Sequence, residues 1–214
     1  MNRTLERYAP LMGIAAGIAL FILATRSYPG GTTESATTVG YSWAHNYISS
    51  LFTERALNGA PNSARGFARS AMLVFCASLA FLYHQLGRHA PTPTHRRAIE
   101  ITGIGTAVYS FLVVTPMHNL MVTFSLLFGL AATLAIVHAL HVERRWLLAL
   151  WGAVGVALTL VVAVMYYGHL RYDLLPTAQK ASLAVSVSWI LATYYAVVVV
   201  RPRTPIPARR AEGG

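Results

Sequence analysis

Residues 146–167 read WLLALWGAVGVALTLVVAVMYY. The stretch holds no charged side chain, and its apolar residues fall on both sequence parities. At about 1.5 Å per residue, a helix of this length crosses the roughly 30 Å hydrocarbon core of a bilayer. It must be helical there, because lipid offers no partner to an unpaired backbone amide. A β-barrel strand would alternate polar and apolar residues, and this run does not.

Similar apolar runs flank it, at 9–25, 67–86, 99–115, 120–142 and 178–200. The 214-residue chain is 55% hydrophobic and 11% charged. A soluble domain carries about 25% charged residues. The mean hydropathy of +0.50 excludes an ordinary soluble globule and, more firmly, a disordered chain. The expected fold is all-α: one integral membrane domain over 1–200, built as a bundle of six transmembrane helices. Residues 201–214, rich in Arg and Pro, are expected to form a disordered basic tail.

Arg3 and Arg7 precede the first run, which could therefore serve as a signal-peptide core. Thr25-Arg26-Ser27-Tyr28 lacks a small-x-small cleavage site, so the run is expected to stay as the first span. Cys76 is the single cysteine, so no intramolecular disulfide can form and cysteine usage does not report the redox compartment. The net charge of +10 comes without any nucleic-acid recognition motif. It fits arginines meeting anionic lipid headgroups, so membrane lipids, not nucleic acid, are the expected partners.

The basic residues also orient the bundle. Of the 17 Arg and Lys, eleven share one side: Arg3, Arg7, Arg88, Arg96, Arg97, Arg144, Arg145, Arg201, Arg203, Arg209 and Arg210. The six others are Arg26, Arg55, Arg65, Arg69, Arg171 and Lys180. The positive-inside rule makes the first side cytoplasmic, with both termini inside, in the cell (inner) membrane.

The first outer loop, 26–66, is by far the longest, and loops of that length are commonly functional. Its start, Tyr28-Pro29-Gly30-Gly31-Thr32-Thr33-Glu34, reads as flexible linker. Further on, Trp43, Tyr47, Ile48, Leu51 and Phe52 recur at helical spacing with His45, Asn46, Ser49 and Ser50 between them. That pattern predicts a short amphipathic helix over 41–52, lying at the outer interface or folded over the bundle.

Ionisable groups gather at the same outer level. His118 follows Pro116 between spans three and four, His169 and Asp173 join spans five and six, and Glu54 ends the long loop. A bundle brings such loops together. Trp43, His45, Tyr47, Ser49, His118, His169 and Asp173 are the expected lining of an outer crevice. His45, His118 and His169 with an acid would suit zinc with an open position, or proton transfer to a lipid-linked ester or amide. Taken singly, each histidine reads as an interfacial turn residue, so no metal is the primary expectation and zinc the alternative. On the inner side His138 and His141 share a helix face, with His84 and Glu100 at the same depth. There the helix macrodipole and headgroup contact account for them better than a metal does.

No Asp, Glu, Lys or Arg sits at mid-bilayer, which disfavours an ion pump or a proton-coupled carrier. Gly13 and Gly17, Gly103 and Gly105, and Gly152 and Gly155 offer small surfaces for close helix packing.

The order of one span, a long outer loop with Asn46-Tyr47-Ile48-Ser49-Ser50-Leu51, Asn62-Ser63 before span two and Thr115-Pro116-Met117-His118 after span three resembles the DUF998 family of small bacterial and archaeal membrane proteins. It resembles the Frag1/DRAM-type membrane proteins more distantly. The resemblance implies a six-helix membrane fold and no particular reaction. The family segment carries an acid where this chain has Ser50, a glycine where it has Phe52, and often an acid where it has Met117. The leading functional expectation is a non-enzymatic protein holding a lipid or small amphiphile in its outer crevice. The rivals are a metal-dependent intramembrane hydrolase using the same histidines, and a structural subunit packed against another membrane protein.

Overall fold

The computed structural model describes residues 3–200. The basic arm expected at 201–214 lies outside them. The described residues form six long helices: α1 (Arg3–Arg26), α2 (Arg65–Arg88), α3 (Pro93–Leu112), α4 (His118–Val142), α5 (Trp146–Tyr167) and α6 (Leu175–Tyr194), the last running into a π turn (Tyr195–Val199). No strand occurs among the described residues beyond two isolated bridges, Gly30 with Val39 and Arg55 with Pro61.

Five of the helices are long and apolar enough to cross a membrane: α1, α2, α4, α5 and α6 with its π turn. Their outward faces carry large apolar side chains, Leu147 being 84% and Leu150 64% exposed. Water would penalise that exterior by roughly 25 cal/mol per Å², and lipid would not. These helices mark a membrane protein. α3 differs because its first turns hold His95, Arg96, Arg97 and Glu100. It starts earlier than the apolar run at 99–115, since Thr92 caps it by accepting from the His95 amide at 3.2 Å and Pro93 takes the first turn.

Each helix packs on the next in sequence; short connections require this from α2 onward, and α1 packs on α2 across the long 27–64 loop. Glycines set the close approaches. A Cβ on Gly17 would meet the Phe75 Cβ at 2.9 Å, and one on Gly13 would collide with Ser78. The Gly13–Gly17 pair therefore seats α1 on α2 inside the bundle. Gly103 meets the Tyr83 ring, and Gly152 meets Trp189 and Val137, in the same way.

The end of the bundle where α1 begins, inner by the count of basic residues, is closed by hydrogen bonds to α1. The sequence places Pro10 in a first turn, but α1 begins at Arg3 and Pro10 lies inside the helix. Proline has no amide hydrogen, so the Glu6 carbonyl four residues earlier loses its helical donor. Gln85 Nε2 of α2 donates to that carbonyl at 2.8 Å. The Tyr194 hydroxyl of α6, fully buried, donates to the Arg7 carbonyl at 2.8 Å and lies 3.1 Å from Gln85 Oε1. Trp189 Nε1 donates to the Leu148 carbonyl at 2.8 Å, joining α6 to α5.

The long outer loop is not an amphipathic helix over 41–52. Turns occupy 43–45, followed by a single 3-10 turn at Ile48–Phe52. The cause is that Asn46 and Ser50 are buried, whereas Trp43 is 59% exposed. Asn46 Oδ1 accepts from the Ser42 amide and its Nδ2 donates to the Gly31 carbonyl, both at 2.8 Å. Such side-chain bonds to backbone compete with a helix. Nor is 28–34 a free linker. The Gly31 amide donates to the Thr38 carbonyl at 2.7 Å, and Tyr28 is buried with its hydroxyl accepting from the Leu57 amide at 3.0 Å. Gly30 and Gly31 hold φ of 140° and 85°, which side-chain-bearing residues rarely adopt. Tyr28, Leu51, Phe52 and Ala56 form an apolar cluster with Ala24 of α1, Ala64 just before α2 and Ala68 of α2.

Candidate functional site

The end of the bundle that the basic residues mark as outer is where the long loop meets the helices. Asn62, just before α2, gathers the loop's second half: its Nδ2 donates to the Ser50 and Thr53 carbonyls at 3.1 and 3.0 Å, and its Oδ1 accepts from the Ala64 amide at 3.1 Å. The first half is tied across the molecule. Lys180 Nζ of α6 donates to the Asn46 and Pro176 carbonyls at 2.5 and 2.9 Å, and sits 5.8 Å from the centre of the Tyr41 ring. Thr177 Oγ1 donates to the Ala44 carbonyl at 3.1 Å. Burial pushes the Tyr41 phenol well above its usual range, with Tyr28 adding to the shift.

Of the seven residues expected to line a crevice, Trp43, His45, His118, His169 and Asp173 are engaged in local contacts. Exposed His45 places its Nδ1 3.2 Å from Glu34 Oε2. Trp43 packs edge-on against Tyr41, ring centres 5.4 Å apart. Tyr47 is half-buried, and burial, with smaller contributions from Tyr172 and Tyr166, raises its phenol pKa. Ser49 is half-buried, and its hydroxyl has no partner among the described residues. His118 Nδ1 lies 2.8 Å from the Val113 carbonyl. A carbonyl only accepts, so Nδ1 carries the proton and closes the α3–α4 turn.

His169 and Arg171 both adopt left-handed backbone, φ 53° and 47°, which reverses the chain between α5 and α6. The Tyr172 hydroxyl donates to the Tyr166 carbonyl at 3.1 Å and lies 3.1 Å from His169 Nδ1. Asp173 is held by Arg171 through two bonds of 3.2 and 3.1 Å. That bond, more than the charge of Arg171, lowers the Asp173 carboxyl below its usual range. Glu54 pairs with Arg65 at 2.9 Å. Thus the structure gives His45, His118 and His169 separate partners and does not bring them together. Among the described residues, no three His, Cys, Asp or Glu side chains are grouped to hold a metal.

The inner histidines pair differently from their spacing on α4. His138 Nδ1 lies 2.8 Å from His95 Nε2 of α3, and His141 packs edge-on against Trp146. His84 Nδ1 and Arg96 Nε approach Glu100 Oε1 at 3.4 and 3.2 Å. His95 escaped sequence reasoning because its partner is 43 residues away.

A feature the sequence signalled only by a lone arginine inside a span lies between α2 and α3. Arg69, Ser70 and Leu73 of α2 face Phe111 of α3 and Val114, Thr115 and Pro116 of the following turn across an open cleft of about 490 Å³. Leu73 is 55% exposed there. Arg69 and Ser70 make no side-chain hydrogen bond or ion pair among the described residues. The cleft is polar at its outer rim and apolar one helical turn deeper.

No family model, curated protein or solved structure matches the chain.

Proposed function

We propose that the chain is a multi-pass membrane protein that holds a lipid or small amphiphile at its outer face and carries out no chemistry of its own. The observation that supports it is the α2–α3 cleft, whose Arg69 rim and Leu73, Phe111 and Val114 floor match a molecule with a polar head and an apolar body. The histidines and acids of the outer face are spent in separate local pairs that fix turns. That is a structural use, and it favours binding over hydrolysis.

The reading includes α3 as a sixth crossing. Its charged first turns would sit in the inner headgroup layer, and its apolar remainder would reach the outer surface at Pro116. It also places both termini in the cytoplasm of an inner-membrane protein, on the positive-inside count. The motifs at 46–51 and 115–118 suggest kinship with DUF998-type proteins, whose expected six-helix form agrees with this topology.

The test is lipid retention. Purified protein released from detergent in a mass spectrometer should keep about one lipid per chain. Phe111→Ala together with Leu73→Ala should strip it while leaving the helical content unchanged. A wild-type protein that carries no lipid from any bilayer composition contradicts the reading.

A further inference from the structure

We propose that the α2–α3 cleft selects an anionic phospholipid from the outer leaflet, with Arg69 pairing its phosphate-bearing headgroup. The inference rests on the amphiphile-binding reading above and specifies the ligand's charge.

The outer acids among the described residues are engaged elsewhere: Glu54 pairs with Arg65, Asp173 with Arg171, and Glu34 lies against the His45 imidazole. No acid lines the Arg69 cleft. An arginine one turn inside the end of a spanning segment needs a counter-charge, and none of the described residues supplies one to Arg69. The guanidinium is always charged and presents a planar fork that fits phosphate oxygens.

Depth gives the second argument. Arg65, paired with Glu54 of the loop, marks the outer aqueous edge of α2. Arg69 lies four residues further in, about 6 Å along the axis. That is the level of lipid phosphates, within reach of a snorkelling arginine. Ser70, with its hydroxyl unpartnered among the described residues, adds a donor beside it. Leu73 shares the Arg69 face one turn deeper, and Phe111 and Val114 continue the apolar wall across the cleft. Headgroup and acyl chain thus have separate, correctly ordered surfaces.

The test uses the full chain in nanodiscs of phosphatidylcholine containing a minor fraction of phosphatidylglycerol. Lipid retained after release is counted by native mass spectrometry. Wild type should enrich phosphatidylglycerol over its share of the disc. R69Q should lose roughly tenfold of that enrichment, the loss expected for one charge-assisted pair, and R69K should restore part of it. Arg97→Gln, exposed on the opposite end of the bundle, should leave it intact. Equal enrichment by wild type and R69Q overturns the inference. So does displacement of the lipid by millimolar inorganic phosphate, which would make the free anion the ligand. Retention of phosphatidylcholine and phosphatidylglycerol in proportion to the disc also overturns it while leaving the amphiphile reading standing. Absence of any retained lipid removes both.

Discussion

Lys180 Nζ donates to the Asn46 carbonyl across 134 residues of sequence, at 2.5 Å. The contact fastens the long outer loop to α6, while Asn62 fastens it to α2. The loop thereby spans the two ends of the helix order. Replacing Lys180 by Met removes the charged donor and leaves the Asn46 carbonyl with the Tyr41 hydroxyl alone, at 3.2 Å. A hydrogen bond from a charged donor contributes about 1.5–3 kcal/mol. Amide exchange around 41–47 should accelerate in the variant, while exchange in α2 stays unchanged. Unchanged protection at 41–47 would mean that the tie does not hold the loop.

Asn46 should be the most sensitive position of the loop. Asn46→Ala strips partners from the Ser42 amide and the Gly31 carbonyl together. Each orphaned group costs about 1–3 kcal/mol. Asn46→Asp keeps the acceptor toward Ser42 but turns an oxygen toward the Gly31 carbonyl, so it should be no milder. Thermal unfolding in detergent should show both variants well below Asn58→Ala, an exposed substitution in the same loop.

Gly17 and Gly129 should respond in opposite directions. A Cβ at Gly17 meets the Phe75 backbone and Cβ at 2.9–3.2 Å, whereas one at Gly129 finds nothing closer than 3.6 Å. Gly17→Val should destabilise by about 1–3 kcal/mol through overpacking. Gly129→Ala should be neutral or gain up to about 1 kcal/mol from helix propensity. Denaturation midpoints in mixed micelles report both.

The proline in α1 makes a finer prediction. Pro10→Ala restores an amide that competes with Gln85 for the Glu6 carbonyl. Tyr194→Phe removes the second bond at that end, to Arg7. The double variant should separate α1 from α6 at the inner end, read as a longer spin-label distance between the start of α1 and position 195. An unchanged distance would assign the closure to apolar packing alone.

The helices are readable in the sequence because burial in lipid demands long apolar runs, as at 146–167, and nothing local competes with them. The loop is not readable in that way. The helical spacing of Trp43, Tyr47 and Leu51 is real, but Asn46 turns inward to bond Ser42 and Gly31 and breaks the helix that spacing predicts. The site residues suffer from the same gap. His45, His118 and His169 all lie in or beside connections at one end of the bundle, yet that alone does not fix lateral position, and each finds a partner near by. Arg69 was visible as a charge inside a span. Its cleft needed the α3–α4 turn, more than 40 positions away along the chain, to be placed opposite it.

The account depends on α2 and α3 both traversing the bilayer, so that Arg69 and Pro116 share the outer level. Single cysteines at positions 58, 97 and 119, in a Cys76→Ser background, test this directly with a membrane-impermeant maleimide. All three native residues are exposed. Positions 58 and 119 should label in intact cells, and position 97 only after permeabilisation. Labelling of 119 from the same side as 97 would leave α3 outside the membrane core and dismantle the cleft.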